Sequence, residues 1–329
     1  MALAGQIGLG VIGVGRHGIR YVRHIVQDLL NARLYAVCRQ DPSLTLDVEG
    51  AEGVPVYGSY RQLIADPKVD AVVIVTPPVF NREICLAAIE SRKPILVEKP
   101  LAATLDDARA IVDAATRAGV PLMTAQTLRF DEAIRILRDK RSSAGTLQHL
   151  VLTSRIETKG RSLNHAEGYG RRGALLEFGV HLLDLARYVT GEEIRSVRCL
   201  MHPQPPTQPE HLALVQLRTA GGIYCCMEVA RVTAGRVGRA EWIGSDGQIQ
   251  ADWTNRQVRV VDGKGSDDTR SFPQSLTILS TLQSFLSALT QGQSMPITGE
   301  DGCRAVELAE ACYRSAADGG QPVELIPTE

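Results

Sequence analysis

At 329 residues the chain is long enough for about two domains, each with its own core. Lys plus Arg number 36 and Asp plus Glu 37, a formal charge of −1 with no block of like charge, which excludes the basic stripe of a dedicated nucleic-acid binder. Hydrophobic residues at 44% and charged residues at 22% exclude long disorder, and the uncharged stretch Met1 to Gly15 is glycine-rich and too short for the roughly 20 residues of a membrane span.

The first part of the chain alternates short apolar runs with helical patterns. Strands are predicted at Gln6 to Ile12, Leu34 to Arg39, Asp70 to Thr76, Pro94 to Glu98 and Pro121 to Ala125. Helices are predicted between them at Arg16 to Leu30, Tyr60 to Asp66, Phe80 to Ser91 and Thr104 to Ala118. Runs such as Ala71-Val72-Val73-Ile74-Val75 are apolar on both faces, as parallel strands covered by helices must be. Residues 1–126 therefore read as a doubly wound parallel sheet.

A bridging helix follows at Asp131 to Arg141. Longer strands then recur at Leu147 to Glu157, Ile194 to Met201, Leu212 to Thr219, Ile223 to Val232, Ala240 to Gly244 and Gln257 to Val261. Ala220-Gly221-Gly222 and Ser245-Asp246-Gly247 are the clearest turns between them. Apolar helices are predicted at Ala174 to Thr190, Leu276 to Gln291 and Gly302 to Ala316. Residues 127–329 read as a second α/β domain with a large, open, mostly antiparallel sheet. Leu212 to Leu217 and Ile223 to Val229 are apolar at odd and even positions alike, so both faces of that sheet call for cover, one from helices and one from a second subunit. A homodimer or homotetramer is expected.

Seven cysteines, at 38, 85, 199, 225, 226, 303 and 312, form no CxxC pair and sit mostly in apolar patterns. Reduced thiols, a cytoplasmic protein without a leader or membrane anchor, and no metal site are expected.

Gly13-Val14-Gly15-Arg16-His17-Gly18 matches GxGxxG between an apolar strand and an amphipathic helix, the context in which glycines bring backbone N–H groups up to a pyrophosphate. The second strand ends in Cys38-Arg39-Gln40-Asp41, with Arg39 where an acidic residue would take a ribose diol. A guanidinium there suits a 2′-phosphate, so NADP(H) is preferred over NAD(H); the alternative is that Arg39 stacks on adenine or is solvated while Asp41 takes the diol.

Glu98-Lys99-Pro100 closes the strand at Pro94, at the carboxyl edge where such sheets bind ligands, and Lys99 is one of only six lysines against thirty arginines. In Gly173-Ala-Leu-Leu-Glu177-Phe-Gly179-Val-His181-Leu-Leu-Asp184, helical spacing places Glu177, His181 and Asp184 on one face among apolar neighbours. A carboxylate beside His181 would orient the imidazole and raise its pKa, as suits a general acid or base.

Taken together, the glycine loop, Thr76-Pro77-Pro78, Glu98-Lys99-Pro100-Leu101 and the Gly-x-Leu-x-Glu-x-Gly-x-His-x-x-Asp helix resemble the Gfo/Idh/MocA oxidoreductases from about Ile7 to Glu324. The resemblance implies a Rossmann dinucleotide domain, a C-terminal α/β domain that pairs subunits through its sheet, and NAD(P)-dependent oxidation or reduction of sugars, cyclitols or related polyols. Lys99 would then bind the reacting oxygen, His181 would carry the proton and Glu177 would hold His181. Glu177 stands where the family usually has Asp, and Tyr21, Asn81 and Arg39 depart from its common His, His and Asp. The cofactor residues so implied are Gly13, Gly15, Arg16, His17, Gly18, Arg39, Thr76, Pro77, Asn81, Glu98 and Lys99. The substrate candidates are Lys99, Arg129, His165, Tyr169, Glu177 and His181, with Arg161, Asn164, Arg171 and Arg172 in the same basic segment. Two other readings fit the same fold, a non-catalytic dinucleotide-binding regulator and a lyase or glycosidase holding NAD tightly.

Overall fold

The computed structural model describes residues 6–44, 46–158, 167–203 and 208–325. The chain divides into two compact units. The first comprises Met1–Thr127 and Leu276–Cys303, the second Leu128–Ser275 and Arg304–Glu329. The sequence places everything after residue 126 in one domain, whereas the segment 276–303 returns to the first unit.

The first unit holds a six-stranded parallel sheet in the order β3-β2-β1-β4-β5-β6. Its strands are β1 (Ile7–Ile12), β2 (Ala32–Cys38), β3 (Val56–Tyr57), β4 (Ala71–Ile74), β5 (Ile95–Glu98) and β6 (Leu122–Ala125). All residues of β1, β4, β5 and β6 are buried, as helices on both faces of a sheet require. The helices are α1 (Gly18–Gln27), α2 (Tyr60–Ala65), α3 (Asn81–Glu90) and α4 (Leu105–Ala118). Strand order reverses between β1 and β4, and the crevice outside the carboxyl ends at such a switch point is where ligands bind.

In the second unit nine strands form one sheet, ordered β14-β13-β12-β11-β7-β10-β9-β8-β15. They are β7 (Leu147–Glu157), β8 (Ile194–His202), β9 (Leu212–Thr219), β10 (Tyr224–Val232), β11 (Val237–Gly244), β12 (Gly247–Asp252), β13 (Gln257–Asp262), β14 (Asp267–Ser271) and β15 (Val323–Glu324). β7 and β10 run parallel and the remaining pairs antiparallel. The helices of this part of the chain are α5 (Glu132–Lys140), α6 (Val180–Thr190), α7 (Thr277–Gln291) and α8 (Gly299–Ala317).

Of these, α7 packs on α1, and the start of α8 lies against β6, where added methyl groups on Gly299 and Gly302 would strike Leu122 and Thr124. Those contacts are why the segment 276–303 joins the first unit. Beyond Cys303, α8 belongs to the second unit, where Ala305, Leu308, Ala309 and Cys312 enter a core built from α6 and one face of the nine-stranded sheet.

Among the described residues, only that face of the sheet is covered. Ala213, Val215 and Leu217 of β9 and Cys225, Met227 and Val229 of β10 are buried, while Leu214 and Tyr224 on the other face stay 46% and 51% exposed. No helix among the described residues is long and apolar enough to cross a membrane.

Candidate active site

The glycine loop leaves β1 with Gly13 at φ +94°, and a side chain there would meet the Val75 carbonyl oxygen. Gly18 opens α1 so close to the Gly13 carbonyl that a Cβ would sit 2.0 Å from its oxygen. The middle glycine differs: a Cβ on Gly15 would meet nothing within 4 Å, so the backbone faces open space. α1 starts without a side-chain cap, and within its first turn the Ile19 and Arg20 amides donate to the carbonyls of Gly15 and His17. The three glycines thus do what a dinucleotide loop asks of them, and the site fits a pyrophosphate.

A cleft of about 600 Å³ opens along the carboxyl ends of β1, β2 and β4. Of the expected cofactor residues, Gly13, Gly15, Arg39, Thr76 and Pro77 line it. Arg39 also donates to the Leu44 carbonyl at 3.4 Å. Asp41, the rival for the ribose diol, is folded into a local turn in which one carboxylate oxygen accepts from Ser43 N at 3.0 Å and from Ser43 Oγ at 2.6 Å. The Ser43 hydroxyl and amide, helped by Arg39, hold its carboxyl below the usual range.

Three expected cofactor residues direct polar atoms to protein partners instead. Asn81 is buried, donates to the carbonyls of Pro100 and Leu101 at 3.2 and 3.1 Å, and accepts from Thr76 Oγ1 at 2.8 Å. Glu98 Oε1 lies 2.8 Å from His17 Nε2 and accepts from Tyr21 OH at 2.5 Å, while Oε2 accepts from the amide of Lys99 at 3.0 Å. Burial alone would raise the Glu98 carboxyl, but His17, Lys99 and Tyr21 together hold it down at about 2. Lys99 is half-buried at the end of β5, and the peptide bond to Pro100 is cis.

In the second unit the expected single helix is two pieces. Leu175–Gly179 form a π turn in which the Val180 N–H reaches the Leu175 carbonyl, and α6 continues from it. Glu177 lies within the wide turn, and His181 and Asp184 follow in α6. Buried Glu177 forms an ion pair with Arg231 of β10, whose guanidinium lies 5.8 Å from the Phe178 ring centre. Buried Asp184 accepts two hydrogen bonds from Arg129, at 2.7 and 2.5 Å. Glu177, expected to hold His181, has the Arg231 guanidinium as an ion-pair partner. His181 is the member of the trio that stays partly exposed.

The amino end of the π turn is fixed by Glu210, which accepts from Gly173 N at 2.9 Å, Leu175 N at 2.8 Å and Tyr313 OH at 2.8 Å. Burial pushes the Glu210 carboxyl up despite those donors. Gly179 gives room for the Val229 side chain of β10. Tyr169 packs against the apolar core, and Arg172 pairs with Glu310 at 2.8 Å. Arg161, Asn164 and His165 lie outside the described residues. Sequence spacing missed Arg231 and Glu210; Arg231 is a charged residue in an otherwise apolar stretch, a signal that marks burial with a partner, whereas Glu210 closes a proline-rich polar segment and carries no such signal.

Comparison with known proteins places these features in context. Residues 7–126 match the family model described as "Oxidoreductase family, NAD-binding Rossmann fold", and residues 167–325 match its "C-terminal alpha/beta domain". The chain is 29% identical to inositol 2-dehydrogenase 2 of Saccharopolyspora erythraea, with 97% of this chain and 96% of that one aligned. It is 28% identical to myo-inositol 2-dehydrogenase of Thermotoga maritima, covering 93% and 95%. The solved structure of a probable dehydrogenase from Thermotoga maritima superposes with a TM-score of 0.81 at 27% identity, covering 97% and 98%. With both of its domains matched in order, the chain belongs to the Gfo/Idh/MocA family of oxidoreductases.

Proposed function

We propose that the protein transfers hydride between a nicotinamide cofactor and a carbinol or ketone carbon of a cyclitol, sugar or related polyol. The observation that carries this reading is the full-length similarity to two inositol 2-dehydrogenases, in a chain whose glycine loop opens onto a dinucleotide-sized cleft. The bound cofactor supplies the hydride acceptor or donor. His181 takes or returns the proton on the substrate oxygen, and Lys99 stabilises negative charge developing there. Arg231 pairs with Glu177 in the turn that precedes His181. The test is reduction of cofactor with a panel of cyclitols, aldoses and ketoses; no turnover with any of them refutes the reading.

Arg39 supports a preference for NADP(H) within this NAD-binding family. It lines the cleft, and the neighbouring Asp41 already directs one oxygen to Ser43. Hydrogen bonds to charged groups contribute about 1.5–3 kcal/mol, so Arg39→Ala is expected to weaken NADPH about tenfold to a hundredfold by fluorescence titration, with little effect on NADH. Tighter binding of NADH than NADPH by the unaltered protein overturns the preference.

The uncovered sheet face supports a homo-oligomer. Leu200, Leu214 and Tyr224 project from adjacent strands on that face and stay exposed. Leu214→Arg combined with Tyr224→Glu is expected to shift the sedimentation coefficient to that of a monomer. An unchanged coefficient, or a monomeric unaltered protein, refutes the pairing.

A further inference from the structure

Tyr21 is 0% exposed yet ends in a hydroxyl, and His17, inside the glycine loop, turns its ring toward a carboxylate. Both reach Glu98. Its other oxygen takes the Lys99 amide, so one rigid carboxylate plane joins the loop, the second turn of α1 and the end of β5. We propose that His17, Tyr21 and Glu98 are positioning residues that couple the loop receiving the cofactor phosphates to the backbone of Lys99. The proposal rests on the oxidoreductase reading above.

The physical argument is one of stiffness. A buried carboxylate is tolerated because its donors replace water, so none of them can be lost without the group turning or taking up a proton. The His17 and Tyr21 rings meet edge to face at 5.8 Å, which restricts both. Beyond Lys99, Asn81 holds the carbonyls of Pro100 and Leu101. The segment from Glu98 to Leu101 is therefore pinned on both sides of the lysine, and the pin at Glu98 is the one that reaches the glycine loop. A loop settled around phosphate fixes His17, which fixes Glu98 Oε1, and the shared plane carries Oε2 and the Lys99 amide with it.

Tyr21 makes the test clean, because a fully buried side chain cannot touch a bound dinucleotide. Any effect of Tyr21→Phe on cofactor binding must pass through its partners. We measure the dissociation constant of whichever of NADH and NADPH binds tighter, by nicotinamide fluorescence, together with kcat and melting temperature. Tyr21→Phe is expected to weaken binding about three- to tenfold and to lower kcat by a similar factor. Glu98→Gln, which keeps the shape, is expected to do the same, and the double variant to be no worse than Glu98→Gln alone. Should Tyr21→Phe lower the melting temperature while binding and kcat stay within about twofold, or should the two substitutions simply add, the network is only a support and the proposal fails. Lys99→Ala distinguishes the two levels. If it keeps full activity, the oxidoreductase chemistry assigned to Lys99 falls, while a Tyr21→Phe effect on cofactor binding still stands.

Discussion

Replacing His181 by alanine is expected to lower kcat by about 10²- to 10⁴-fold, the usual contribution of a positioned general acid or base, and to leave cofactor affinity within about twofold. The geometry makes this a demanding test. Glu177 and Asp184, its acidic neighbours along the chain, are buried against Arg231 and Arg129, so truncating the imidazole need not disturb either ion pair. The cofactor loop lies in the other compact unit. Steady-state turnover alongside fluorescence titration separates the two quantities. A variant that turns over normally removes His181 from the chemistry, and one that loses cofactor binding in proportion gives it a different role.

Lys99→Ala is the second large effect expected, a loss of about 10²- to 10³-fold in kcat/KM, as for removal of one donor to a developing oxyanion. The backbone should survive it, since the Lys99 amide bonds Glu98 and Asn81 grips the carbonyls that follow. Melting temperature should therefore hold. Lys99→Arg is expected to restore little, because a planar guanidinium cannot place a point charge where an ammonium does. Full activity in either variant would show that the ammonium takes no part in turnover.

Much of the fold was legible because apolar runs and helical stretches obey simple periods. β1, β4, β5 and β6 are uniformly apolar and uniformly buried, and β9 matched its sequence limits. Strands held by other means were not legible. β14, Asp-Asp-Thr-Arg-Ser, is wholly exposed and has no apolar residue to announce it; pairing with β13, including Arg259 on Asp267, keeps it in the sheet. β12 alternates polar residues with buried Ile249 and Ala251, and follows too closely on a turn to stand out. β3 and β15 are two residues each. The helix at 276–291 was legible as a helix but not as part of the first unit, because its partner α1 is more than two hundred residues earlier and periodicity carries no information about partners.

The candidate site was legible where chemistry depends on local spacing and opaque where it depends on pairing. Three glycines at fixed offsets revealed the loop, and an arginine at the end of β2 was correctly placed beside the cleft. Spacing of four and three residues suggests a common face for Glu177, His181 and Asp184, but it does not reveal the π turn that holds Glu177, which nothing in Leu-Leu-Glu-Phe-Gly declares. Nor could composition tell that Asn81 and Glu98 bond to the protein around Lys99, for which the tertiary contacts were needed.

A helix that steps through one wide coil tolerates exchange of side chains far better than a change of length. Deleting a single amino acid between Leu175 and Gly179 would let the wide coil close to an ordinary α turn and shift Glu177 from its place opposite Arg231. Variant libraries aimed at new substrates should hold this stretch at constant length and recruit insertions elsewhere.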